Sequence, residues 1–181
     1  IEDWSRDGTL MILMEYISIN ESRLHIVDTV DGNLSPFTPK LSVPVSHQNA
    51  RFDPRMRAVY FSSDDGFEFQ RLTRLDLSTG EYKYFLPQVR WDVEAIEVAT
   101  DGRQLAVVTN EGGASKLRVL DSMTGELLWN PQMPSGVIHQ LAWASDRDLM
   151  YGFDWALSPG KVVHLNVSTQ EQLTWLDSDL T

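Results

Sequence analysis

Residues Asp76–Tyr82 read "DLSTGEY", and Asp121–Leu127, 45 residues further on, read "DSMTGEL". Two near-copies of one turn mark an internal repeat, and a repeat governs how the rest of a chain is read. The shared pattern is Asp-x-x-x-Gly. It recurs at Asp28–Gly32 ("DTVDG") and, degraded, at Asn166–Gln170 ("NVSTQ"), so markers 28, 76, 121 and 166 are spaced by 48, 45 and 45. The Asp or Asn side chain can accept from backbone N–H groups two residues on, and Gly reaches positive φ without steric cost. Each copy predicts a hairpin turn.

Trp4, Phe52, Val98 and Trp143 stand 23 or 24 residues before the markers and open "WSRDG", "FDPRM", "VATDG" and "WASDR". These are turn sequences too. Between the two turns lie two apolar runs. The first is Leu10–Met14, Ala58–Phe61, Leu105–Val108 and Leu149–Phe153; the second is Leu24–Val27, Leu72–Leu75, Leu117–Leu120 and Val162–Leu165. A last short run ends at Phe37, Phe85, Trp129 and Trp175. Each unit predicts strand, turn, strand, loop, strand, turn, strand. The first run is nearly all apolar, as in a strand buried on both faces.

Four short strands per repeat, packed on both sides, is the arithmetic of a propeller blade. The predicted fold is all-β: a β-propeller fragment of four four-stranded antiparallel blades, with WD40-like or TolB-like repeats. It forms one domain over 1–181, in repeats at approximately 1–39, 46–87, 91–130 and 136–177. No segment sustains a 3.6-residue period, so almost no helix is expected. The first strands of the later units, near Ser46–Phe52, Asp92–Val98 and Val137–Trp143, are expected to line a central channel. The chain opens "IEDW" without Met, inside a repeat, and reads as a piece of a longer protein.

The formal charge of −11 disfavours nucleic acid and an anionic membrane surface as partners. With no cysteine among 181 residues, thiol catalysis and disulfides are excluded, and the compartment stays open: cytoplasmic or periplasmic if the source is bacterial. The longest aliphatic run, Leu10–Met14, is far too short to span a bilayer.

Asp92 and Glu94 in "WDVE" alternate onto one face of an expected channel strand, beside Trp91. They are the possible channel or substrate contacts. Paired carboxylates could act as acid and base, hold a cation or bind a peptide amino terminus; an acidic channel lining, or a turn carboxylate capping backbone N–H groups, is the favoured reading. His25, His47, His139 and His164 have no metal-ligand spacing. No metal, cofactor or phosphate-binding loop is expected. Asn20, Asn33 and Asn166 each begin an Asn-x-Ser triplet, which matters only in a secretory protein.

"DWSRDGTLMILMEYISINESRLHIVDTVDG" (Asp3–Gly32) and "RWDVEAIEVATDGRQLAVVTNEGGASKLRVLD" (Arg90–Asp121) resemble propeller blades of the prolyl oligopeptidase family of serine peptidases, including its dipeptidyl aminopeptidase and acylaminoacyl-peptidase members. "SPGKVVHLNVSTQEQLTWLDSDL" (Ser158–Leu180) is similar to the family's last blade. The Asp-Gly turns are shared with TolB-like propellers, whereas WD40 repeats place Trp-Asp where this chain has Val27-Asp28, Leu75-Asp76 and Leu120-Asp121. The resemblance implies a propeller that caps an α/β-hydrolase domain and screens its peptide substrates. That domain's nucleophile would sit in a Gly-x-Ser-x-Gly elbow, which this chain lacks, so no catalytic residue carries over. The implied partners are the hydrolase domain, the remaining blades and a peptide substrate.

Two other functions fit tandem turns: a binding propeller of TolB-like or WD40-like role, and a propeller that is itself a glycosidase or lactonase. Four blades also leave two bare end faces. If each exposes on the order of 500 Å², about 12 kcal/mol of burial is forfeited per face, so two copies are expected to pair as a homodimer.

Overall fold

The structure, a computed structural model, describes residues 1–156 and 158–176. The expected end of the fourth repeat, at 177, lies outside them. The described residues contain no helix and sixteen strands. These are β1 (Asp3–Trp4), β2 (Leu10–Ser18), β3 (Glu21–Asp28), β4 (Leu34–Pro36), β5 (His47–Phe52), β6 (Ala58–Ser63), β7 (Arg71–Asp76), β8 (Tyr82–Tyr84), β9 (Val93–Val98), β10 (Gln104–Glu111), β11 (Ala114–Asp121), β12 (Leu127–Trp129), β13 (Gly136–Trp143), β14 (Asp148–Trp155), β15 (Ser158–Asn166) and β16 (Glu171–Leu176). They form four four-stranded sheets, β1–β4, β5–β8, β9–β12 and β13–β16, each a meander in sequence order.

The marker turns form as their chemistry requires. Asp76 Oδ1 accepts from Ser78 N and Thr79 N at 2.9 and 3.2 Å. Asp121 Oδ1 accepts from Met123 N and Thr124 N at 2.9 and 2.8 Å. Asn166 Oδ1 does the same for Ser168 N and Thr169 N at 3.1 and 3.0 Å. Gly80 and Gly125 close their turns at φ +73° and +76°. In the degraded copy Gln170 takes the left-handed conformation, φ +59°, without a glycine's freedom.

The chain divides into two compact units, Ile1–Ile96 and Glu97–Thr181. In the first, the β1–β4 and β5–β8 sheets pack through Ile12, Leu24, Ala50, Phe52, Val59, Phe61 and Leu75. Phe61 is the hub, meeting the rings of Phe37, His47 and Tyr82 edge-on at centroid distances of 5.9, 5.7 and 6.3 Å. Backbone groups facing the seam are bonded by side chains of the opposite sheet. Ala50 N donates to Glu2 Oε2 at 3.1 Å, and Phe52 N to Asp3 Oδ2 at 2.8 Å. In the second unit Ile138 N of β13 donates to Ser115 Oγ of β11 at 3.0 Å.

Strands β6 and β10 are buried on both faces along most of their length, but β14 only on alternate residues and β2 only at Ile12. The expectation of full burial in all four units therefore holds only for the middle two. The reason is visible in equivalent residues. Leu24 of β3 points into the first unit's core and is fully buried, while its counterpart Val162 of β15 is half-buried and the neighbouring Val163 is buried instead. The first sheet thus buries the face turned to its successor, and the fourth the face turned to its predecessor. Each keeps one apolar face open, with Trp4 and Leu34 exposed on the first sheet and Leu173 and Trp175 on the fourth.

Candidate functional site

Trp91, Asp92 and Glu94 stand at the entry to β9. Asp92 lies one residue ahead of the strand, not within it as the sequence suggests, because its carboxylate is engaged elsewhere. Its Oδ1 accepts from Gln70 N at 2.8 Å, and Val93 N donates to Gln70 O at 2.9 Å. Together these clip the start of β9 to the loop between β6 and β7. Asp92 therefore caps a backbone N–H. Glu94 is exposed on β9.

Trp91 is 43% exposed, its ring tilted 42° against Phe69 at 6.4 Å. The Arg71 guanidinium sits 3.8 Å over the Phe67 ring, and Tyr84 meets Phe67 in an edge-on pair at a centroid distance of 5.0 Å. Beneath Trp91 a void of about 10 Å³, bounded by Gln70, Leu72, Phe85 and Val93, has room for one water. The arrangement offers an aromatic surface held by its neighbours, with an exposed carboxylate close in sequence. Such a surface can contact a ligand.

Sequence reasoning did not find an open groove of about 570 Å³ at the edge of the first sheet, lined by Arg23, His25, Phe37, Lys40 and Tyr82 among others. Its charges are largely satisfied internally: Arg23 pairs with Glu21 at 2.7 Å, and His25 Nε2 lies 3.0 Å from Glu15. The second histidine pair is His139 with Asp154 at 2.6 Å, and the third is His164 with Asp148 at 2.9 Å. The Gly160 N–H and then His139 hold Asp154 below the usual carboxylate range; Ser145 and then His164 do so for Asp148. Among the described residues no three His, Asp or Glu side chains converge to hold a metal.

A family model described as "Prolyl oligopeptidase, N-terminal beta-propeller domain" matches residues 3–178. No curated protein matches. Among solved structures, one from a study of two prolyl endopeptidases superposes with a TM-score of 0.78 at 19% identity, covering 96% of this chain and 25% of the other. A puromycin-hydrolyzing peptidase of Mycobacterium tuberculosis gives 0.78 at 17% identity, covering 98% and 29%. TolB from Acinetobacter baumannii gives 0.68 at 19% identity, covering 97% and 42%. At these identities the likeness is one of fold, and the chain spans between a quarter and two fifths of those proteins' length.

Proposed function

Because the chain belongs to the prolyl oligopeptidase family, matching its N-terminal β-propeller domain, we propose that it is the non-catalytic scaffold and substrate-access filter of a serine peptidase. The four sheets act as blades of one propeller domain. The chemistry resides in an α/β-hydrolase domain elsewhere in the parent protein, with further blades completing the ring. The family match over residues 3–178 carries this reading. The Trp91–Phe69 surface and the exposed Glu94 are the proposed peptide contacts, with Asp92 positioning them through Gln70. Alone, two copies of the chain pair through their open sheet faces.

The test is a proline-containing chromogenic peptide. The 181-residue chain should not cleave it, and the parent protein should. In the parent, Trp91→Ala should raise KM several-fold for long peptides and leave a small ester substrate unaffected, since a filter acts on what enters and not on the chemistry. Cleavage by the chain alone, or a parent gene without Gly-x-Ser-x-Gly followed by Asp and His, would overturn the reading. The likeness to TolB favours a second one, a propeller that binds a protein partner and has no hydrolase domain. Recovery of one stoichiometric partner together with a parent lacking the elbow would support it.

A further inference from the structure

Three of the four histidines have a carboxylate within 3.0 Å. The fourth does not. His47 is 4% exposed, and its ring Nδ1 is buried with no hydrogen-bond partner. We propose that His47 is a pH-sensitive latch on the seam between the β1–β4 and β5–β8 sheets, closed while the ring is neutral and released when it takes up a proton.

The seam is fastened at this residue. Ser22 Oγ donates to His47 O and accepts from His47 N, both at 2.7 Å, while Ser22 N donates to Val45 O at 3.0 Å. The imidazole packs edge-on to Phe61, the hub of the aromatic cluster. Beside it is a void of about 10 Å³ bounded by Ser22, Leu41, Val43 and Val45. One water fits there; a hydrated imidazolium does not.

The charged groups around the ring do not stabilise its protonated form enough to offset burial. Glu21 and Arg23 of β3 line the same void but pair with each other at 2.7 Å. Asp64 and Asp65, in the turn after β6, attract a proton to the ring, but Asp64 Oδ1 is already the acceptor of Ser46 N at 2.8 Å. On β5 itself, Arg51 is turned to the carbonyls of Glu2 and Ala50. Tyr82 of β8 reaches Phe37 O, and Lys40 is exposed. Burial is the largest influence and pushes the His47 imidazole below its ordinary value of 6.5.

The sign follows from linkage. The unfolded ring binds a proton as pH falls through about 6.5, and the folded ring only at lower pH. The latch therefore contributes its full stability above that value and loses it progressively on acidification. The segment it restrains can respond. Between Thr38, whose Oγ1 accepts from Leu24 N at 2.9 Å, and Val45, no described hydrogen bond holds residues 39–44.

Hydrogen exchange on the full chain, corrected for the intrinsic pH dependence of exchange, tests this. Between pH 7.5 and 5.0 the amides of Ser22 and His47 should lose protection, the loss setting in as pH falls below about 6.5. His47→Gln, neutral at both pH values, should abolish the loss. An NMR titration of the wild-type ring should place its midpoint below that of an ordinary histidine. Equal pH dependence in His47→Gln, no pH dependence in the wild type, or a ring titrating at or above the ordinary value would each overturn the latch. If His47→Gln does not fold, the ring titration and the wild-type exchange decide by themselves.

Discussion

Gln170 sits where three other repeats place Gly32, Gly80 and Gly125, and all four have φ between +59° and +76°. A Cβ at Gly80 would meet nothing within 4 Å, so the penalty for a side chain there is backbone strain alone. Gln170→Gly should therefore stabilise the chain by about 0.5–1 kcal/mol, and Gly80→Gln should destabilise it by about as much or somewhat more. Urea midpoints at unchanged m-value check both, and a lower midpoint for Gln170→Gly refutes the strain. These turns are legible in sequence because the bonds that close them join residues only two to five apart. A capping role for Asp92 can be read there too, but its partner, Gln70 N, cannot, since no local rule links residues separated by 22 positions.

Elements reproduce the apolar runs because four meanders of short, β-branched strands satisfy their backbone groups only by pairing with the next strand. What joins one sheet to its neighbour is different in kind. Ser22 is 3% exposed and bonds both backbone groups of His47 across the seam. Ser22→Ala should cost about 2 kcal/mol, because two buried polar groups lose their partner at once. Ser78→Ala, on an exposed marker turn, should cost under about 0.5 kcal/mol. A denaturation series on the two variants gives the comparison; equal costs would mean that the seam bond is replaced by water. The irregularity at Asn49 belongs to this scale too. The β5–β6 register shifts between Gln48 and Arg51, and Asn49, at φ +56°, donates through Nδ2 to Val93 O at 3.3 Å. Nothing in "HQNARF" announces a bulge, since Asn is equally at home in an exposed turn.

At the scale of the molecule the open faces are where the proposed pairing would act. Leu173, Trp175 and Leu176 are 56%, 62% and 57% exposed on the fourth sheet, and Trp4 is 50% exposed on the first. The proposed pairing of the isolated chain predicts a mass near twice 20.6 kDa by light scattering at high concentration. Trp175→Lys should shift it toward one chain, because a charge on that face would be buried without a partner. A wild-type chain that stays monomeric at all concentrations rejects the pairing. The sequence alone determined the period, the two turns of each repeat and hence the sheet unit, since all three rest on short-range bonding and on apolar runs written repeatedly along the chain. Only the tertiary structure decided which face each sheet buries, which backbone N–H Asp92 caps, and that His47 is enclosed at a seam while its three counterparts meet carboxylates. Those outcomes depend on which sheet stands beside which, and equivalent residues such as Leu24 and Val162 carry the same side-chain chemistry into opposite surroundings.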